Sequence, residues 1–343
     1  MNWFRIRRRW WLGFGGLLIL GSIWAALPWV YREDAVIATD ANTAAFSPTQ
    51  SLLAIATNDG IRFWRAEDPQ PQPLKGSRAS DGAPSPFRVL LAWSADGHYL
   101  ATDGDEYGTT IEIWDTVAAM RISVIREPPG THAEALAFSP DGTLLVIAAY
   151  NELQLWRWHE QPSEQTLDVG TYTNAVFSAD GQYVITESEI WRVRDSTRIL
   201  RGYELGVGLG VGTGNCVAAS PTTMVAAFCN YDGKVVLIDL TTMQLIRQFR
   251  AYQGGITALA FSPDGRWLAV GSGSYEAMDV EAYDIRMWSV ADGQLVRTLQ
   301  SPTLGDIQSL SFSANGQHVV ATTRNRLFGV QQSGQSVHIW ALH

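Results

Sequence analysis

From residue 35 to the end, short runs alternate apolar and polar positions with a period of two. IEIWD (111–115), LQLW (153–156), VVLID (235–239), IRMW (285–288) and VHIW (337–340) are clear instances. That period predicts strands with both faces in use. Ahead of each such run lies an apolar stretch, a polar turn and a second apolar stretch, most fully written as ALAFSPDGRWLAVGS at 258–272. Fainter copies occupy 43–57, 90–104, 135–149, 174–188, 216–230 and 309–323, which makes seven. Their anchor positions, Phe46, Trp93, Phe138, Phe177, Ala219, Phe261 and Phe312, stand 39 to 51 residues apart. A β-patterned repeat of that length predicts a ring of four-stranded sheets.

The turn explains the register. In Ser262-Pro263-Asp264-Gly265, proline presets φ for the second turn position and glycine accepts the left-handed conformation that follows. Fourth strands are predicted at ISVIR (122–126), RILRG (198–202), LIRQF (245–249) and LVRTL (295–299). The seventh copy ends on its third strand, at Ile339-Trp340, and would leave a bare sheet edge. AVIAT (35–39), directly before the first copy, can supply the missing strand, so removal of 31–40 is expected to cost the fold.

The pairing of F-S-P-D-G with I-x-x-W, seven times over, resembles the WD-repeat β-propeller family in a divergent, bacterial-type form, over residues 34–343. The resemblance implies an all-β, seven-bladed propeller, closed by an N-terminal strand, that binds other proteins. Trp114-Asp115 is the one full W-D pair, and Tyr252 stands where the family's Gly-His dipeptide would precede Phe261. The family's polar tetrad is largely missing, which implies blades held more by packing than by that network.

Residues 1–30 pose a separate problem. A basic tail (1–9) with Arg5, Arg7, Arg8 and Arg9 precedes 22 uncharged residues (10–31). As a helix that run would span about 33 Å, enough to cross a bilayer. Trp10 and Trp11 at one end and Trp24, Trp29 and Tyr31 toward the other suit the interfacial belts, and the arginines place the N-terminus in the cytoplasm. The expectation is a single-pass signal-anchor in the cell membrane with the propeller on the extracytoplasmic side and the rim of blade seven near the bilayer. A cleaved signal peptide is the alternative, since Ala25 and Ala26 are small, although the run exceeds a usual signal-peptide core.

The formal charge of −9 includes those four arginines; the remainder carries 21 basic against 34 acidic groups. Such a surface has no attraction for phosphate, so nucleic acid is excluded as a partner. ATDGDEYGTT (101–110) has Asp103, Asp105 and Gly108 in a calcium-like spacing, but Tyr107 and Trp114 stand where oxygen ligands belong, so it is an acidic turn. ELGVGLGVGTGN (204–215) lacks the following helix of a dinucleotide site and reads as a connection. The six histidines show no ligand spacing, and His132 near Glu134 is the sole candidate base. No metal, cofactor or enzymatic activity is expected. Cys216 and Cys229 face each other across one hairpin, as a disulfide or as two buried thiols, without further ligands for a metal.

By the family's topology, the loops between blades and those between second and third strands share one face. That face would present Tyr107, Tyr150, Tyr172, Tyr231, Tyr252, Tyr275, Arg324, Arg326 and Phe328, residue types favoured at protein interfaces. The expectation is a membrane-tethered interaction scaffold for a protein partner. A small-ligand sensor using the central channel is the first alternative and a channel-sited hydrolase the second. First strands reading TALAF, EALAF and QSLSF favour the scaffold over the enzyme.

Overall fold

A computed structural model describes residues 29–32, 35–38, 41–57, 60–65, 68–74, 77, 90–103, 110–126, 132–149, 152–159, 163–170, 172–201, 216–230, 232–273, 283–300, 305–324 and 335–342. Two short strands come first, β1 (Trp29–Arg32) and β2 (Ala35–Ala38). Blade one is β3 (Ala41–Phe46), β4 (Leu53–Thr57), β5 (Gly60–Arg65) and β6 (Asp68–Pro73). Blade two is β7 (Leu91–Trp93), β8 (Tyr99–Asp103), β9 (Thr110–Asp115) and β10 (Met120–Arg126). Blade three is β11 (Ala133–Phe138), β12 (Leu144–Ala149), β13 (Glu152–Arg157) and β14 (Ser163–Val169). Blade four is β15 (Ala175–Phe177), β16 (Tyr183–Thr186), β17 (Glu189–Arg192) and β18 (Thr197–Arg201).

Blade five follows as β19 (Val217–Ala219), β20 (Val225–Cys229), β21 (Lys234–Asp239) and β22 (Gln244–Arg250). Blade six has β23 (Ile256–Phe261), β24 (Trp267–Ser272), β25 (Asp284–Ser289) and β26 (Leu295–Gln300). The chain ends with β27 (Asp306–Phe312), β28 (His318–Arg324) and β29 (Gln335–Ala341). The fourth strand of blade seven is β2, antiparallel to β29, with Ala35 opposite Ile339 and Ala38 opposite Ser336. The ring thus closes where the sequence places the closure, as a seven-bladed all-β propeller.

The N-terminal strand β1 adds a fifth strand to blade six. It runs parallel to β26, with Trp29 opposite Arg297 and Arg32 opposite Gln300. The apolar run 10–31, expected as one helix, therefore ends in a strand over its last three residues, and sheet structure begins at 29 rather than 34. Trp, Val and Tyr are strand-favouring types, and β26 offers them an open edge. Residues 1–28 lie outside the described part, and among the described residues no helix is long and apolar enough to cross a membrane.

Two further fourth strands, β6 and β14, escape the sequence pattern because they read DPQPQP and SEQTLDV. Both are outermost, where proline and polar residues are tolerated. In blades one to six the third and fourth strands pair through a bulge, as at Arg121/Ser123 in blade two and Met287/Trp288 in blade six.

The core is divided into seven clusters, one at each junction between neighbouring blades. The junction of blade seven with blade one is built like the rest, from Val320, Val337 and Ile339 against Ala44, Leu53 and Ile55. Phe46, Phe138, Phe177, Phe261 and Phe312 are buried, as rings that end first strands should be. Below them the hairpin turns interlock. Gly265 has φ +71°, and a Cβ there would lie 2.6 Å from Thr222 Oγ1 and 2.8 Å from Ser220 Oγ of the preceding blade. Glycine thus serves both the left-handed turn and the close approach.

Candidate interaction face and central channel

The first strands of all seven blades surround an axial channel, to which the blades contribute Thr43, Leu90, Glu134, Thr173, Cys216, Thr257 and Gln308 among others. Its volume is about 270 Å³, at or below the small end of ligand pockets. Several of its polar groups are engaged within the wall. Thr257 donates to Ile307 O at 2.6 Å, and Thr173 Oγ1 donates to Glu187 at 3.0 Å. Among the described residues no group of three or more His, Cys, Asp or Glu is placed to hold a metal ion.

One position organises the channel mouth in three blades. At the end of the second strand, Asp103 Oδ1 accepts from Leu90 N at 2.9 Å, and Glu187 accepts from Thr173 N at 2.9 Å and Asn174 N at 3.3 Å. Blade five makes this link covalent: Cys216 and Cys229 form a disulfide with their Cα atoms 5.1 Å apart. Asp103 therefore serves backbone capping; Asp105 and Gly108 of the same segment, and the glycine-rich 204–215, lie outside the described residues. Burial pushes the Glu187 carboxyl above its ordinary range, against the opposing pull of the Thr173 and Asn174 donors. The sequence signal for Glu187 was an acid in register with Asp103.

Of the nine residues assigned to the interaction face, Tyr107, Tyr150, Tyr231, Tyr275, Arg326 and Phe328 lie outside the described residues. Arg324 closes β28 and is exposed. Tyr172 and Tyr252 require a correction, because both turn inward. Tyr252 is 2% exposed, and its hydroxyl lies 2.9 Å from both Val270 O and Asp284 O, so one proton serves two carbonyls. Arg286 stacks over its ring at 4.2 Å, donates to Ala251 O at 2.6 Å and approaches Asp284 at 3.3 Å. Tyr252 thus rebuilds, with different groups, a polar tie where the tetrad is missing. Burial, then the Asp284 charge, raises its phenol well above the ordinary value.

Tyr172 is 4% exposed and donates to Asp168 at 2.6 Å, with Glu189 at 3.2 Å. Arg198 reaches Glu189 at 3.3 Å and Asp168 at 3.7 Å, and Arg201 reaches Glu189 at 3.5 Å. Burial, then the hydrogen bond to Asp168 and the neighbouring acids, pushes the Tyr172 phenol up. The network ties blade three to blade four. A loop tyrosine next to a strand that presents an acid packs down onto it, a preference that residue type alone does not reveal.

Comparison with known proteins agrees with this architecture. Residues 243–275 match the WD domain, G-beta repeat, and residues 89–200 match the family described as Eukaryotic translation initiation factor eIF2A. Actin-interacting protein 1 of Drosophila melanogaster is 28% identical over 253 residues, 68% of this chain and 38% of that protein. Striatin of Mus musculus is 26% identical over 278 residues, 72% of this chain and 34% of that one. The chain thus spans little more than a third of the length of these relatives. Among solved structures, a chain of the "Crystal Structure of Mitotic Checkpoint Complex" superposes with a TM-score of 0.71 at 12% identity, covering 97% of this chain and 98% of that one. The Cps50 (Swd1) β-propeller domain of Myceliophteria thermophila gives 0.67 at 16%, covering 89% and 97%. These likenesses are of fold. Seven four-stranded blades with repeated turn and strand motifs, one stretch of which matches the WD repeat, make the chain a seven-bladed β-propeller similar to WD-repeat proteins.

Proposed function

We propose that the chain is a membrane-tethered, extracytoplasmic scaffold that holds a protein partner on the face formed by its blade-joining loops. The observation that carries the reading is the closed seven-bladed ring, a rigid support for its joining loops around a channel of only about 270 Å³. Actin-interacting protein 1 is named for an interaction, and the scaffold role is taken from such relatives by analogy. The competing reading, a small ligand in the channel, has in its favour Thr43 Oγ1, a buried hydroxyl without a partner among the described residues. The small volume and the engaged wall threonines weigh against it, and against hydrolysis at His132 and Glu134.

Two features support the tether. With β1 beginning at Trp29, the uncharged run 10–28 would, as a helix, span about 28 Å, close to a bilayer core. The Cys216–Cys229 disulfide suits an oxidising compartment. A chain leaving the membrane would then enter the propeller at the rim of blade six. A membrane-impermeant crosslinker applied to intact cells tests the whole reading. We expect partner capture that is lost when Tyr107, Tyr275, Arg326 and Phe328 are replaced by Ala. Capture that requires permeabilised cells would remove the extracytoplasmic placement, and capture unchanged in the variant would remove the assigned face.

A further inference from the structure

The outer strand of blade two is the candidate left over once ring, channel and loop face are accounted for. Val117 is 70% exposed, Met120 55%, Ile122 42% and Val124 38%, four apolar side chains within eight residues on or beside β10. Among the described residues, the outer edge of β10 has no strand partner.

Blade six shows what such an edge accepts. There the bulge after Trp288 brings Arg297 opposite Met287, and the stretch Arg297–Gln300 carries β1 in parallel register. Blade two has the same bulge: Trp114 faces Arg121, and Ser123 faces Ile113. Counting from the bulge, Ser123–Arg126 corresponds to Arg297–Gln300. Thr298 is 7% exposed in blade six, whereas its counterpart Val124 lies open. The residues at this position on the other outer strands of blades one to five are Pro73, Thr166, Arg201 and Gln248, all polar or unable to donate to a ladder. Blade two alone of these presents there an apolar residue whose backbone can still donate to a ladder.

We propose that the edge of β10 over Ser123–Arg126 is a docking site for an extended segment of another protein, added in parallel as a fifth strand. Main-chain hydrogen bonds would supply affinity and alternate side chains specificity. The segment carries an apolar residue above Val124 and an acidic residue opposite the exposed Arg126. A second copy of this chain is a poor occupant on two counts. Its own β1, in the register seen on blade six, would set Arg32 against Arg126, a destabilising like-charge pair. Three side chains on one strand and a fourth in the turn before it are also far short of the 20–30 residues a side of a standard stable interface, but they match a single added strand. The site lies on the rim, apart from the loop face, so either assignment can fail without the other.

The test uses the full-length chain and a synthetic octapeptide of alternating Thr and Val ending in Glu, with a version N-methylated at alternate residues as control. Amide hydrogen exchange is followed over 120–126, 245–250 and 295–300. At about 1 mM peptide we expect exchange over 120–126 to slow by roughly tenfold or more, with the other two strands unchanged and the N-methylated peptide inactive. Val124→Lys and Ile122→Lys, both exposed changes, should abolish the protection while the melting temperature holds. No slowing over 120–126, equal slowing on β22 or β26, equal activity of the N-methylated peptide, or full protection in Val124→Lys would each overturn the proposal. Concentration-dependent dimerisation that Val124→Lys removes would assign the edge to a second copy instead.

Discussion

Tyr252 shows how one side chain can do two jobs. Its ring fills the junction between blades five and six, and its hydroxyl serves the Val270 and Asp284 carbonyls. Removing only the oxygen leaves the packing intact and two buried acceptors short of a donor. Tyr252→Phe should therefore cost about 1–2 kcal/mol, read as a lower urea midpoint at unchanged slope. An unaltered midpoint would mean that the carbonyls find other donors. The same residue marks a limit of sequence reading. Tyrosine in a loop is equally at home on an interface and under a blade; Tyr252 is held by carbonyls 18 and 32 residues away, and Tyr172 by Asp168 four residues back together with Glu189 of the next blade, a pairing that residue type does not display.

At the scale of elements, the turns carry a pH dependence. Asp96, Asp141 and Asp264 each accept from the serine two residues earlier, at 2.5, 2.5 and 2.6 Å, and from a backbone N–H two residues later. Partial burial pushes these carboxyls up, yet the serine and backbone donors prevail and hold them below the ordinary 3.8. A folded-state value below the unfolded one stabilises the protein above the unfolded pKa, and that contribution is lost as pH falls through the folded pKa. The melting temperature should drop on acidification from about pH 5 to pH 3, and the drop should be shallower when all three are replaced by Asn. Equal slopes would show that other carboxylates govern acid stability. These turns were legible because Ser-Pro-Asp-Gly states its own geometry, and the third strands because their alternation is strict. Strands β6 and β14 were not, since an outermost strand buries too little to impose a pattern. Strand β1 was hidden inside an apolar run that reads equally well as helix.

For the molecule as a whole, stability rests on the stitch made by residues 29–38. Strand β1 covers blade six and β2 completes blade seven, four paired residues each. At about 1 kcal/mol per hydrogen bond, losing β2 would remove a large share of a typical 5–15 kcal/mol. A chain lacking residues 1–32 should still melt in one cooperative transition, whereas a chain lacking 1–38 should lose several kcal/mol or melt broadly. If both behave like the full-length chain, the stitch is dispensable.

The stitch also sets an order of events during synthesis. The segment that must pair with β29 leaves the ribosome some 300 positions ahead of it. Throughout translation the early strand waits beside a growing arc of blades whose final edge does not yet exist. Blade seven can therefore close only once β29 has been made, and until then the arc, with two raw edges, is the form a chaperone would meet.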